Sequence, residues 1–260
     1  TTVGFYYNKD LFRKAGVPFP KPGWTWDDFI ANARKIGAVT DDTGQHYIGS
    51  EFVTWPAMVR GYLFTEGADA VAPDFERIAL DGPAATAALE RLRAWRHGEE
   101  HALTSGRSKM ATGSAVFSTG RVGMAGPFGR WVVPEYRRIR DFDWDFAPLP
   151  RGKASANVIA TVSWSLSARS RHKDEAWELL RWLVSPESQA ANARLGLAIP
   201  TIRAVAESPA FLDATQKPAN NRGYLDPAPA AQVVDWPADP RFEQLLGGNL
   251  DRALKVGDLT

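Results

Sequence analysis

Apolar positions along this chain recur with two periods, which marks out a mixed α/β protein. Residues 3–7 (VGFYY) have no polar face and predict a buried strand. Asp10 can cap a short helix over residues 11–15 that stops at Gly16, and a proline-rich loop runs on to Gly23. Thr25 then starts a helix with acidic residues in its first turn and Phe29, Ile30, Ala33 and Ile36 on one face. A turn over residues 40–47 leads to a strand at 47–49, and residues 51–56 (EFVTWP) open a helix ending near Gly61 or Gly67. Residues 81–97 are amphipathic, with Asp81 as cap, Pro83 in the first turn, and Ala85, Ala88, Leu89, Leu92 and Trp95 as the stripe. Residues 112–118 read as a short helix closing at Gly120.

The stretch 120–131 (GRVGMAGPFGRW) passes from an apolar segment, Val122, Met124 and Ala125, through a Gly-Pro turn into a helix. Phe128, Arg130 and Trp131 would emerge where strand hands over to helix. Open α/β sheets place ligands beyond the carboxyl ends of their strands, where a helix start leaves backbone N–H groups unpaired. Gly126 permits close backbone approach, and Pro127 suits a first helical position. On these residues alone, the stronger reading is an ordinary strand-turn-helix with its aromatics packed inward.

Residues 141–146 (DFDWDF) alternate acid and aromatic. Three close carboxylates invite a metal or a glycosidase pair. Period two instead puts Asp141, Asp143 and Asp145 on a solvated strand face and Phe142, Trp144 and Phe146 inside, and no ligating His accompanies them. Residues 157–168 read as a strand interrupted at Ser163-Trp164. Residues 174–184 form a helix with Ala176, Leu179, Leu180, Leu183 and Val184 on one face, and Pro186 starts another that ends at Gly196. Residues 211–217 look helical, 220–224 and 227–236 irregular, and a last helix spans 240–256. Ser170 to Lys173 match Ser-x-x-Lys by chance, since the companion motifs of penicillin-binding enzymes are absent.

At 260 residues the chain is one large domain or two small ones. Lys plus Arg is 31 against 30 for Asp plus Glu, a net charge of +1 with no basic run, which argues against nucleic acid as a partner. The absence of cysteine excludes thiolate nucleophiles, disulfides and Cys-based metal sites, and suits a bacterial envelope protein. No apolar run approaches the ~20 residues that span a bilayer. The opening Thr-Thr-Val-Gly carries no charged leader, so either the protein is not exported or its start is missing. Tryptophan stands out: a core can use all ten residues, but surplus indoles also suit the flat apolar faces of sugars.

The segment YYNKDLFRKAGVPFPKPGWTWDDFIANARKI resembles, in order and spacing, the signature of the carbohydrate-binding family of extracellular solute-binding proteins of ABC importers, which includes the maltose-binding proteins. Residues 116–124 fit that family's Ala-Phe-x-x-Gly-(Lys/Arg)-x-x-Met run, and 141–150 its strand leading to Ala-Pro-Leu-Pro. The family's Trp after Gly-Pro is Phe128 here, with Trp131 a turn later. The resemblance implies a type II periplasmic-binding-protein-like α/β fold of two lobes. Residues 1–157 would form the second (C-terminal) lobe after a hinge-crossing strand, 158–208 the returning segment of the first lobe, and 209–260 the second lobe's C-terminal helices. The opening half of the first lobe, with any signal or lipid anchor, would precede this sequence, making it a fragment.

The implied function is reversible capture of a mono- or oligosaccharide in an interlobe cleft and delivery to the transmembrane subunits of a permease. The protein would be a monomer outside the cytoplasm, with no cofactor or metal. The family's cleft positions nominate Trp55, Phe128 or Trp131, Trp164 and Trp236 as stacking rings. One ring contributes about 0.5 to 1.5 kcal/mol beyond area, whereas micromolar binding needs roughly 8 kcal/mol. Polar groups must supply the difference, and Glu51, Arg130, Asn157, Ser163 and Asp235 are the candidates. Two alternatives stay open: a glycoside-processing enzyme, with Glu51 and Asp235 as its carboxyl pair ~5 to 9.5 Å apart, and a sugar-sensing protein that reports to a receptor.

Overall fold

Five consecutive buried residues, Gly4–Asn8, form the strand β1, which lies inside the main sheet. Its neighbours are β2 (Ile48–Phe52), β3 (Val122–Phe128) and β4 (Trp144–Pro148), in the order β2-β3-β1-β4. β3 runs parallel to β2 and antiparallel to β1, and β4 is antiparallel to β1. A separate parallel pair joins β5 (Asn157–Ile159) to β6 (Ala231–Val233). The computed structural model describes residues 1–98, 102–103, 113–236, 239 and 241–256, without the side chains of residues 255 and 256.

The helices are α1 (Lys9–Lys14), α2 (Trp26–Gly37), α3 (Pro56–Thr65), α4 (Pro83–His97), α5 (Val133–Tyr136), α6 (Lys173–Leu183), α7 (Pro186–Leu195), α8 (Arg203–Ala206), α9 (Pro209–Leu212), α10 (Arg222–Leu225) and α11 (Arg241–Asp251). Thr25 caps α2 as expected: its hydroxyl accepts from Asp28 N, and the Asp28 carboxylate accepts from Thr25 N at 2.8 Å. The cap of α1 is Asn8 rather than Asp10. Its buried Oδ1 accepts from the amides of Asp10 and Leu11, so the last residue of β1 also starts the helix. α4 starts from Gly82, with no side-chain cap from Asp81.

One face of the sheet packs Phe5 and Phe52 against Trp26, Phe29 and Tyr62; Tyr6, Phe117, Tyr136, Trp144 and Phe146 form a second ring cluster. α2 lies directly on β2: a Cβ on Gly49 would stand 2.1 Å from the Ala33 carbonyl oxygen. The acid-aromatic alternation holds in part: Trp144 and Phe146 are buried and the strand begins at Trp144, but Phe142 is only half-buried and the Asp145 carboxylate, expected in solvent, is half-buried and accepts from Phe146 N and Asn220 N.

Four further expectations need correction. Gly126-Pro127 is no turn. β3 continues through it, because the register against β1 shifts between Gly4↔Phe128 and Tyr6↔Ala125, and that extra residue lets a proline without an N–H sit in the strand. Glu51 belongs to β2 rather than to the opening of α3. The strand expected over 157–168 stops at Ile159, and the helix expected over 211–217 is the single turn Pro209–Leu212. Expected positions 112, 240 and 257–260 lie outside the described residues.

The apolar face foreseen on α6 is present, but nothing among the described residues covers it. α6 buries no residue, and Trp177, Leu179, Trp182 and Val184 are exposed. Val162, Trp164 and Leu166, in the segment that follows β5, are exposed as well.

Candidate functional site

The end of β2 and the end of β3 bring the first candidates together. Val53 N donates to the Gly126 carbonyl at 2.7 Å, and buried Arg96 donates to the Phe52 carbonyl at 2.8 Å. These bonds hold the segment that leads into α3. Trp55 stands just before Pro56, the first residue of α3, and its carbonyl accepts from Met58 N and Val59 N. Its ring is 48% exposed and meets Phe128 edge to face, with centroids 5.9 Å apart and planes at 65°. Phe128 is fully buried, so of this pair only Trp55 presents surface.

Trp131 lies two residues further on, in the short 3-10 turn Arg130–Val132, and is 40% exposed. Its six-membered ring rests on the bare Cα of Gly129, where a Cβ would fall 2.1 Å from Cζ3. Trp55 thus packs on the last residue of β3 and Trp131 on the glycine that follows it, and both indoles are part-exposed.

The polar candidates divide by burial. Arg130 is buried and points inward: its guanidinium donates to Asn221 Oδ1 and, at 2.9 Å, to the Ala193 carbonyl, and it lies 4.2 Å over the Phe211 ring. Burial lowers its pKa. Asn157 is wholly buried, accepting from Val3 N at 3.0 Å and donating to Val3 O at 2.9 Å. It therefore stitches β5 to the residue before β1. Glu51 is buried in β2, where the Gly113 amide approaches it at 3.5 Å. Ser163 and Trp164 are exposed, in the segment that follows β5.

Beneath the edge runs a buried chain of hydroxyls. The Tyr6 hydroxyl donates to the Gly129 carbonyl at 2.8 Å and sits 2.6 Å from the Tyr224 hydroxyl, and Thr2 donates to the Tyr224 carbonyl at 2.6 Å. Burial pushes both phenols well above their ordinary pKa. They act as neutral donors that fix the backbone carrying Trp131.

Trp236 belongs to a neighbouring constellation that sequence reading missed. Arg60, buried on α3, forms a two-pronged ion pair with Asp69, one arm at 2.8 Å, and also donates to the Asp235 carbonyl. Its guanidinium carbon lies 5.1 Å from the Trp236 ring and 5.4 Å from that of Phe64. The Asp235 carboxylate is exposed, and its backbone carbonyl makes the contact. The available signal was an arginine set among the apolar residues of a short helix.

A hollow of about 560 Å³ lies to the side, lined by Phe64, Asp69, Phe75, Pro83 and Gln232 among others, and none of the nominated rings line it. Among the described residues no group of three or more His, Asp or Glu is placed to hold a metal.

The model of the bacterial extracellular solute-binding protein family matches residues 1–190, and the chain belongs to that family. Among curated relatives, the galactooligosaccharide-binding protein of Bacillus subtilis is 23% identical over 263 residues, covering 96% of this chain and 60% of its own length. Two solved structures superpose with a TM-score of 0.81. One is an ABC substrate-binding protein of Listeria monocytogenes in complex with cycloalternan, 18% identical, covering 99% of this chain and 65% of that one. The other is UgpB of Mycobacterium tuberculosis in complex with glycerophosphocholine, 20% identical, covering 99% and 64%. The fold is therefore that of type II periplasmic-binding proteins. The chain spans 56 to 60% of the length of the curated relatives it matches.

Proposed function

We propose that this protein is the substrate-binding component of an ABC importer that captures a carbohydrate and hands it to the transmembrane subunits of a permease. The observation that carries this reading is the pair of part-exposed indoles at the carboxyl end of β3, Trp55 packed on buried Phe128 and Trp131 seated on Gly129. Indole faces suit the apolar faces of pyranose rings, and the buried phenyl and hydroxyl chain hold them without reorganisation on binding. The galactooligosaccharide relative agrees with a saccharide ligand. The glycerophosphocholine relative marks the competitor, but the buried cations beside this edge, Arg96 and Arg130, both donate to backbone carbonyls.

On this reading Trp55, Trp131 and Trp236 contact ligand, whereas Phe128, Arg130, Asn157 and Glu51 support them from beneath. Ser163 and Trp164 would approach the ligand from the returning segment. Residues 1–157 and 209–260 would form one lobe and 158–208 part of the other, with further chain covering the bare face of α6. The protein would work as a monomer outside the cytoplasm, with or without a lipid anchor, and make or break no bond.

Incubation with labelled oligosaccharides, followed by calorimetry against a sugar panel, tests the reading. Saturable binding with the saccharide recovered intact supports it. Turnover would favour the glycoside-processing alternative, and tight binding of glycerophosphodiesters but not sugars would replace the ligand class.

A further inference from the structure

We infer that Arg60 is a positioning residue of the ligand site: paired with Asp69, it fixes Trp236 and the segment between β6 and α11 in the orientation that meets ligand. This rests on the carbohydrate reading above. Three pieces of chain meet at this guanidinium. It rises from α3, one turn beyond Trp55, and its fork grips the Asp69 carboxylate, which also accepts from Val71 N at 3.3 Å. A remaining donor holds the Asp235 carbonyl, and the flat cation lies 5.4 Å from the Phe64 ring and 5.1 Å from that of Trp236.

The chemistry is specific to arginine. Its planar fork can serve a carboxylate and a carbonyl while presenting a face to an aromatic ring; lysine offers a point charge without that plane. Residues 234–236 follow the short strand β6, and Trp236 otherwise packs on Phe242 at 5.9 Å. Because Arg60 shares α3 with the residue after Trp55, the same helix sets the positions of two candidate rings. Movement of Trp236 without Arg60 would alter the site while leaving the sheet untouched.

The test uses Arg60→Lys and Arg60→Met alongside Trp236→Ala and the double variants, each checked for a wild-type thermal midpoint. Two readouts apply: calorimetric affinity for the best-binding oligosaccharide, and the 5-fluorotryptophan resonance of residue 236, assigned from Trp236→Phe. Positioning predicts that Arg60→Lys shifts that resonance without ligand and weakens binding by the factor seen for Trp236→Ala. The double variant should then bind no more weakly than Trp236→Ala alone. An unmoved resonance, or factors that multiply in the double variant, overturns the proposal. If Arg60→Met unfolds, Arg60→Lys and Asp69→Asn carry the same comparison. Absence of sugar binding by the wild-type protein refutes the carbohydrate reading, and the fluorine resonance then decides Arg60 by itself.

Discussion

Trp55 meets Phe128 edge-on at 5.9 Å, one ring half in solvent and the other wholly inside. The contact joins a ligand-facing candidate to the core through a single aromatic pair, so substitutions at its two ends should have different effects. Trp55→Ala should weaken saccharide binding about tenfold, the loss of one stacked ring, and leave the thermal midpoint nearly unchanged. Phe128→Ala should cost about 3 to 5 kcal/mol of stability, as large-to-small changes in cores do. Calorimetry and urea unfolding separate the two, and a Trp55→Ala variant with full affinity would remove this ring from the site.

Gly129→Ala tests the seat of Trp131. A methyl group there falls 2.1 Å from the indole, so the ring must lift. Affinity should drop by about the same factor as in Trp131→Ala, and combining the two should add little. Full multiplication of the two effects would mean that the glycine matters for another reason.

Asn157→Leu removes both hydrogen bonds to Val3 and leaves a buried N–H and C=O without partners. The expected cost is about 2 to 4 kcal/mol, read from the urea midpoint at constant slope. A loss below about 0.5 kcal/mol would show that water replaces the amide.

Asp143 supplies a pH signature. Burial pushes its carboxyl up, but hydrogen bonds and charge from Lys217 and Lys9 outweigh that and bring it down to about 2 from 3.8. A depressed carboxylate contributes stability that is present above its unfolded value and lost as pH falls from about 4 through 2. With over a third of the side chain exposed, the contribution is about 1 kcal/mol after solvent screening. Asp143→Asn should therefore destabilise at pH 6 and converge on wild type near pH 2. Asp145, raised chiefly by burial, has the opposite sign, and part of its rise comes from the Asp143 charge, so the difference between the two profiles reports Asp143 together with its effect on Asp145.

Much of the fold was readable from periodicity and caps. β1, α2 with Thr25, the buried aromatics of β4 and the stripe of α4 all follow from local pattern. The passage of β3 through Gly126-Pro127 was not readable, because it depends on a register shift against β1, over a hundred residues away. Side-chain direction limited the reading of the site. Arg130 and Asn157 were nominated as polar groups at segment ends, and the same residue types serve equally well to satisfy backbone carbonyls and amides inside. Arg60 went unnoticed because its partners, Asp69, Asp235 and Trp236, come together only through folding. Trp55 and Trp131 were identifiable as aromatics, but which of the neighbouring rings faced solvent was decided by Phe128 filling the core.

α6 is eleven residues long with every side chain at least partly open to water, and free helices shorter than ~12 to 15 residues are marginal. Its amide protons should exchange orders of magnitude faster than those of α2, which is anchored by Phe29, Ile30, Ala33 and Ile36. Whatever comes to rest on Trp177 and Trp182 would slow that exchange, which makes this helix a built-in clock for assembly.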